Sequence, residues 1–217
     1  LTGVHFVLSD NKDLKTVATD SHRMSQKVIT LEKNGDNFDV VIPSRSLREF
    51  TSVFSDDIET VEVFFANNQI LFRSEHISFY TRLLEGNYPD TDRLIPTEFN
   101  TEATFNVANL RFAMERARLL SNATQNGTVK LEFKNGVVSS HVHSPEVGRV
   151  NEEIDTSAVS GEDLSISFNP TYLIEALKAI DSEQVVIRFI SSVRPFTLVP
   201  EGNEQGFIQL ITPVRTN

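Results

Sequence analysis

Two short histidine-containing segments carry the residue types from which a catalytic or metal site could be built. Asp20 and His22 flank Ser21, a spacing that allows an acid, a base and a nucleophile to meet. His141 and His143 would lie on one face of a strand and could bind a metal together. The sequence has no G-x-S-x-G elbow, no phosphate-binding glycine loop and no third ligand beside the histidine pair. We therefore expect a binding protein without cofactor or metal, with a small hydrolase or metal-binding protein as the alternative.

The composition limits the other classes of function. The 217 residues are 39% hydrophobic, enough for one or two buried cores. No run approaches the ~20 apolar residues of a membrane helix, no signal peptide pattern is visible, and the absence of cysteine excludes disulfides and thiolate metal sites. These features predict a cytoplasmic protein that does not enter membranes. The formal net charge of −10 disfavours nonspecific nucleic-acid binding unless positive charges are grouped on one surface.

A proline-containing stretch at residues 86–96 separates two similar parts of the chain and reads as an extended linker. Before it, a helical pattern at 42–54 is followed by a strand pattern at 60–65. After it, the same pair recurs at 168–180 and 185–190, shifted by 126 and 125 residues. Because the spacing between helix and strand is nearly the same in both parts of the chain, we predict two copies of one module. We place the functional site in a groove where the two modules meet.

Hydrophobic periodicity predicts a strand-rich chain with three helices. Pro43 and Ser44 both suit the start of the first helix, Pro43 because its φ is fixed and Ser44 because its side chain can cap the helix. The apolar face of this helix is formed by Leu47, Phe50, Val53 and Phe54. The second covers 107–120 after the cap residue Asn106, and the third has Asn169 as its N-cap and Pro170 as its first residue. Strands are predicted at residues 1–8, 14–19, 26–31, 61–65, 69–73, 77–84, 103–105, 128–133, 137–143, 151–154, 185–190, 196–199 and 207–212.

The second helix has three distinct faces at about 100° per residue. The core stripe is Leu110, Ala113, Met114, Ala117 and Leu120. A charged face carries Arg111, Glu115 and Arg118, and a third face carries Phe112, Arg116 and Leu119. Apolar side chains away from the core stripe are unusual on the surface of a monomer, which predicts a contact surface.

Several motifs occur in a family-specific order. They are Ala18-Thr-Asp-Ser-His-Arg23, then Tyr88-Pro-Asp-x-x-Arg-x-Ile-Pro96, and the closing Pro213-Val-Arg215. Together with the order of helices and strands they resemble the bacterial DNA sliding clamp, the beta subunit of the DNA polymerase III holoenzyme. The resemblance implies an α+β DNA-clamp fold, in which repeated modules of antiparallel β-sheet carry two helices on one face. Residues 1–92 then correspond to the middle clamp domain, N-terminally incomplete because its first strand and helix are lacking, and residues 93–217 to the C-terminal domain.

The resemblance also implies a function. In the family, subunits form a homodimeric ring that encircles duplex DNA without reading its sequence and acts as a non-catalytic processivity factor of the replicative DNA polymerase. The polymerase catalytic subunit, the clamp loader, repair polymerases, mismatch-repair proteins and ligase bind through short peptides in a hydrophobic groove.

Site residues follow from the same resemblance, position by position. The peptide-binding groove comprises Leu1, Thr19, Ser21, His22, Arg23, Met24, Pro89, Arg93, Leu94, Asn169, Tyr172, Val193, Pro195, Leu210, Ile211, Thr212, Pro213, Val214 and Arg215. The DNA-facing residues are Arg45, Arg48, Arg111, Arg118 and Lys178. The dimer interface comprises Phe112, Arg116, Leu119, Leu120, Glu146, Glu152 and Glu153.

Plainer structural roles remain open for some of these residues. Val193, Leu210 and Ile211 are also compatible with ordinary strand core, and the arginine-bearing helix faces with ordinary solvated surfaces. The sequence departs from the family pattern at Ser21, Pro195, Thr212 and Val214, which is expected to narrow or stiffen the groove.

Overall fold

The computed structural model of the protein describes residues 2–10, 12–121, 127–144, 148–204 and 206–215. The chain divides into two compact units. The first comprises Leu1–Asp20 and Gln26–Asp90, and the second comprises Ser21–Ser25 and Thr91–Asn217. The second unit therefore includes a short segment, Ser21–Ser25, that lies within the first unit along the chain.

The first unit combines antiparallel strands with a helix. Four strands pair in the order β3–β2–β1–β4, where β1 is Gly3–Ser9, β2 is Asp13–Thr19, β3 is Arg23–Thr30 and β4 is Phe38–Pro43. Residues 23–25 of β3 are grouped with the second unit. A second sheet contains β5 (Glu62–Ala66), β6 (Gln69–Arg73) and β7 (Ser78–Arg82) in that order. Helix α1 (Ser44–Val53) follows β4 directly.

Aromatic rings hold α1 against the second sheet. The Phe50 ring lies 4.4 Å from the ring of Phe54 and 4.7 Å from that of Phe72, measured between centroids. Phe54 and Phe72 are buried together with Ile42 and Ile70. Offset and tilted aromatic pairs add to the free energy gained by burying these rings, so they form the core of this unit.

Three details of the first unit differ from the sequence prediction. Strand β4 was not predicted, although its sequence FDVVIP is rich in strand-forming residues; it pairs with β1 over residues 38–43. Pro43 ends β4 with an extended ψ of 132° and is the N-cap of α1, so Ser44 is the first helical residue rather than the cap. Val53 is 44% exposed, whereas the adjacent Phe54 is buried.

The second unit contains two sheets and the helices α2 (Val107–Ser121) and α3 (Pro170–Lys178). Five strands of one sheet have the order β12–β8–β14–β15–β16, with β8 at Thr101–Asn106, β12 at Ala158–Gly161, β14 at Gln184–Phe189, β15 at Phe196–Pro200 and β16 at Phe207–Ile211. The other has the order β11–β10–β9–β13, with β9 at Val129–Lys134, β10 at Val137–Ser144, β11 at Gly148–Ile154 and β13 at Leu164–Phe168. Helix α2 contacts α3 and the strands β8, β9, β10 and β11.

The core of the second unit is rich in phenylalanine. Phe189 lies 4.9 Å from Phe133 and 5.2 Å from Phe196, and Phe196 lies 5.1 Å from Phe168, all between ring centroids. These rings come from four strands of both sheets. They are essentially inaccessible to solvent, so the two sheets share one core.

The predicted helices of the second unit are confirmed. Asn106 Oδ1 accepts a hydrogen bond from the Asn109 N–H at 3.0 Å, so Asn106 caps α2 as predicted. The core stripe of α2 is buried, apart from Leu120, which is half-buried and packs against the core. Strands β12 and β13 were not predicted; they pair with β8 and β9, respectively. The segment before β8 is not simply extended, because Asp92–Leu94 forms one 3₁₀ turn. Across the described residues, no helix is both long and apolar enough to cross a membrane.

Asn169→Ala is expected to lower the free energy of unfolding by about 1 kcal/mol. Asn169 Oδ1 accepts a hydrogen bond from the Thr171 N–H at 2.9 Å, and Pro170 occupies the first helical position. Asn169→Asp keeps the acceptor and should stay within about 0.5 kcal/mol of the wild type. Urea denaturation followed by circular dichroism measures the free energy of unfolding of both variants. An equal decrease of this free energy in the two variants would contradict the capping role.

Candidate functional site

Three parts of the second unit that are far apart in sequence meet around the Tyr172 ring. The backbone N–H and the hydroxyl of Thr212 both donate to the carbonyl of His22, each at 2.9 Å. The His22 ring stacks on Tyr172 with 5.9 Å between centroids and 15° between the planes. The Arg23 guanidinium carbon lies 4.7 Å from the centre of the same ring, and Nη1 of Arg23 donates to the carboxylate of Glu175. We call these five residues the His22–Tyr172 cluster.

Local structure explains why these side chains come together. The Asn169 cap and Pro170 begin α3, which puts Tyr172 in its first turn and buries the following Leu173 in the core. Glu175 is three residues after Tyr172 and therefore lies beside it on the helix surface. The Val214 N–H donates to the Ser167 carbonyl at 2.7 Å, which ties the C-terminal segment to the end of β13.

Apolar and proline side chains border the cluster at one end of the β15–β16 hairpin. Phe196 pairs with Ile211, so Pro195 and Thr212, the next residues outward, lie at the same end of the hairpin. Pro195, Thr212 and Pro213 are half-buried, whereas Val193 and Val214 are exposed. This end of the second unit thus offers apolar surface beside aromatic and charged groups, as peptide sites do.

Three predicted groove residues present almost no surface. Met24 is 2% exposed, Leu210 4% and Ile211 1%. Leu210 and Ile211 belong to β16, and Ile211 is part of the core of the second unit. For these two the strand-core reading holds, whereas Val193 is exposed on the loop before β15. These three side chains therefore offer almost no surface for contact with another molecule.

The other predicted groove residues are placed as follows. Ser21, Arg93, Leu94 and Arg215 are exposed in the second unit, and Asn169 is engaged in capping α3. Thr19 and Pro89 belong to the first unit; the Thr19 hydroxyl donates to the Asp20 carbonyl at 2.9 Å, and Pro89 is exposed. Leu1 lies outside the described residues. Glu175 was not predicted as a site residue, although its three-residue spacing from Tyr172 was a usable signal.

Two family models match this chain almost end to end. Residues 92–215 match the DNA polymerase III beta subunit, C-terminal domain, and residues 1–90 match the DNA polymerase III beta subunit, central domain. The chain belongs to the DNA polymerase III beta subunit family. This finding confirms the resemblance on which the sequence prediction rested.

Relatives and solved structures of the beta subunit family agree with this assignment. The chain is 80% identical over 217 residues to the Beta sliding clamp of Streptococcus pneumoniae and 54% identical over 218 residues to that of Lactococcus lactis subsp. lactis. Both alignments cover 100% of this chain and 57% of the relative.

Crystal structures in the beta subunit family have the same fold. The DNA polymerase III beta chain of Streptococcus pneumoniae superposes with a TM-score of 0.97 at 80% identity, covering 99% of this chain and 57% of that one. The DNA polymerase sliding clamp of Bacillus subtilis superposes with a TM-score of 0.93 at 37% identity, and the match covers 100% of this chain and 57% of that one. The predicted α+β clamp fold is confirmed. This chain spans little more than half the length of these relatives.

The helix faces predicted to meet DNA in this beta-subunit chain are only partly free. Arg48 and Lys178 are exposed, and Arg45 Nε lies 3.1 Å from Glu49 Oε1 on the surface of α1. Arg111 is half-buried, with its guanidinium carbon 5.2 Å from the Phe112 ring centre and Nε 3.8 Å from a carboxylate oxygen of Glu115. Arg118 is also half-buried. Of the predicted set, Arg45, Arg48 and Lys178 therefore present the most accessible positive charge.

The third face of α2 remains largely exposed in this structure. The side chains of Phe112 and Leu119 are 48% and 72% exposed. The Arg116 guanidinium pairs with Glu152, and this hydrogen bond raises the pKa of Arg116. Glu152 was predicted to meet a basic residue across an interface, but here it pairs with Arg116 of its own unit. Glu153 is exposed, Leu120 packs against the core, and Glu146 lies outside the described residues.

The hydrolase or metal-site alternative finds no support in the part of the chain that is described. His141 Nδ1 lies 2.7 Å from Asn151 Oδ1, and its Nε2 lies 2.9 Å from the Ser139 hydroxyl, while His143 is exposed. Among the described residues, no three His, Asp or Glu side chains are grouped closely enough to hold a metal ion. His22 is engaged with Tyr172 and Thr212, as described above.

Proposed function

We propose that this chain is the peptide-docking part of a DNA sliding clamp, the processivity factor of the replicative DNA polymerase. The observation that carries the proposal is the His22–Tyr172 cluster. Residues 21–25, the first turn of α3 and the segment after β16 converge there, as a docking site shared by many partners requires. The 80% identity to a protein named Beta sliding clamp supports the same conclusion.

The docking chemistry follows from the surface at the cluster. Val193 and Val214 are exposed apolar side chains, and such side chains on a partner-facing surface accept the aliphatic and aromatic anchors of a short peptide. His22, Arg23 and Thr212 supply polar groups that orient its backbone. The partners are the polymerase catalytic subunit, the clamp loader, repair polymerases, mismatch-repair proteins and ligase.

The whole protein forms a homodimeric ring around duplex DNA in the cytoplasm and is a non-catalytic accessory subunit. A sliding ring needs weak, uniform attraction to phosphates rather than base contacts. Arg45, Arg48 and Lys178 are suited to this role by their exposure. By keeping the polymerase near the primer end, the ring raises the effective concentration of polymerase there. The exposed pair Phe112 and Leu119, with Arg116 and Glu152, belongs to the subunit interface.

In the full ring, residues 1–92 form the central domain and residues 93–217 the C-terminal domain. Strand β14 of the second unit pairs with β8 on one side and β15 on the other. Among the described strands, the corresponding β5 pairs with β6 alone, and its Val63, Phe64 and Phe65 are exposed. A strand and helix equivalent to β8 and α2 would cover this edge and its apolar side chains.

Binding of a fluorescent synthetic peptide that contains Gln, Leu and Phe tests the docking function. Fluorescence anisotropy should show saturable binding, and a scrambled peptide of the same composition should bind much more weakly. EDTA should change neither the affinity nor the melting temperature. Equal binding of the two peptides, or a melting temperature that falls in EDTA, would favour the metal-site alternative over peptide docking.

A further inference from the structure

Arg23 is held by two groups of helix α3 at once. Its guanidinium lies over the Tyr172 ring, and its Nη1 donates to Glu175. Because Tyr172 and Glu175 are three residues apart in one helix, the ring and the carboxylate are neighbours on the helix surface and contact the guanidinium together. Glu175 thus helps to position the Arg23 guanidinium, although Glu175 itself was not among the predicted groove residues.

The ion pair between Arg23 and Glu175 is accessible enough to be exchanged. The Arg23 side chain is 35% exposed and that of Glu175 is 50% exposed. Ion pairs in such partly exposed positions contribute little net free energy, since water competes with both partners. A guanidinium also presents five N–H donors in a planar fork, which suits two-pronged recognition of a carboxylate. Another carboxylate can therefore replace Glu175 at a small net cost.

We propose that Glu175 is an internal competitor that occupies Arg23 until a peptide carboxylate replaces it. This inference rests on the docking function proposed above and specifies its ligands. The preferred peptides carry a carboxylate close to an apolar anchor, so that the anchor contacts the surface beside Tyr172 while the carboxylate binds Arg23. Both an acidic side chain and a free C-terminus supply this group. Glu175 is accordingly a specificity-determining residue for acidic peptides.

The test compares three fluorescent peptides that contain Gln, Leu and Phe. One is amidated and neutral at its end, one has a free C-terminal carboxylate, and one is amidated with Asp beside the Phe. Dissociation constants are measured for the wild type, Glu175→Gln and Glu201→Gln. Glu201 is a matched control, because it is exposed just after β15, at the opposite end of the hairpin from Thr212. Melting temperatures verify that each variant is folded.

Glu175→Gln should bind the carboxylate-bearing peptides about three- to fivefold more tightly, the range expected for a partly exposed ion pair. The neutral peptide should change by less than about twofold, and Glu201→Gln should leave all three dissociation constants unchanged. The gain should disappear in the double variant Arg23→Gln/Glu175→Gln, which removes the group that binds the carboxylate. The peptide that gains more identifies the source of the carboxylate.

Two other results have distinct meanings. An equal change for all three peptides, or no change, in Glu175→Gln would overturn the competitor role while leaving peptide docking intact. A failure of all three peptides to bind the folded wild type and variants would overturn the docking function, and the role of Glu175 with it.

Discussion

Tyr172→Ala is expected to weaken binding of the Gln-, Leu- and Phe-containing peptide by roughly ten- to a hundredfold, about 1.4–2.8 kcal/mol. The ring contacts His22 and Arg23 and, through them, positions the charged groups of the site. Removing it deletes the central apolar surface and releases both neighbouring side chains. Partly buried aromatic residues at the centre of a contact surface are the usual sites of such large losses.

Anisotropy titrations of three variants separate this effect from a general loss of structure. Tyr172→Phe retains the ring and should bind within about threefold of the wild type, since only a hydroxyl is removed. Tyr80→Ala removes a tyrosine from the first unit that is exposed on β7, and its affinity should not change. Wild-type affinity in Tyr172→Ala, with an unchanged melting temperature, would show that the peptide docks elsewhere.

Phe189→Ala is expected to lower the free energy of unfolding by about 3–5 kcal/mol. The side chain is fully buried, and its ring lies within 5.2 Å of both Phe133 and Phe196. Truncation therefore removes apolar burial and leaves a cavity between the two sheets. The loss is a large part of the total stability of a typical domain, so some of the protein is expected to be unfolded at moderate temperature.

Urea denaturation of matched variants checks the size of this effect. Phe189→Leu keeps most of the side-chain volume, so its free energy of unfolding should fall by only about 1–1.5 kcal/mol. This variant gives a measurable value even where the alanine variant does not fold. Phe112→Ala removes an exposed ring of the same unit and should change stability by less than about 0.5 kcal/mol. Similar losses for Phe112→Ala and Phe189→Leu would contradict the placement of the core.

Elements with strong local signals were predicted well from the sequence. The α2 and α3 helices have Asn caps and apolar stripes at helical spacing, and the β9–β10 hairpin has Asn135-Gly136, both with positive φ. These signals act between residues close in sequence, so they can be recognised without knowledge of the tertiary structure. Strand β12 has only four residues and lacks such a signal, so its structure depends on its pairing with β8. Strands β4 (FDVVIP) and β13 (LSISF) were also missed, although their residues are typical of strands.

The sequence by itself determined the family and the fold class. The motifs that indicate them are local and ordered, and the same resemblance predicts His22, Arg23 and Tyr172 as residues of a peptide-binding groove. Only the tertiary structure decided which side chains are available to a ligand. It buried Met24, Leu210 and Ile211, and it brought Glu175 to Arg23 from 152 residues away. Burial and ion pairing depend on segments distant along the chain, and no local pattern encodes which distant segments will meet.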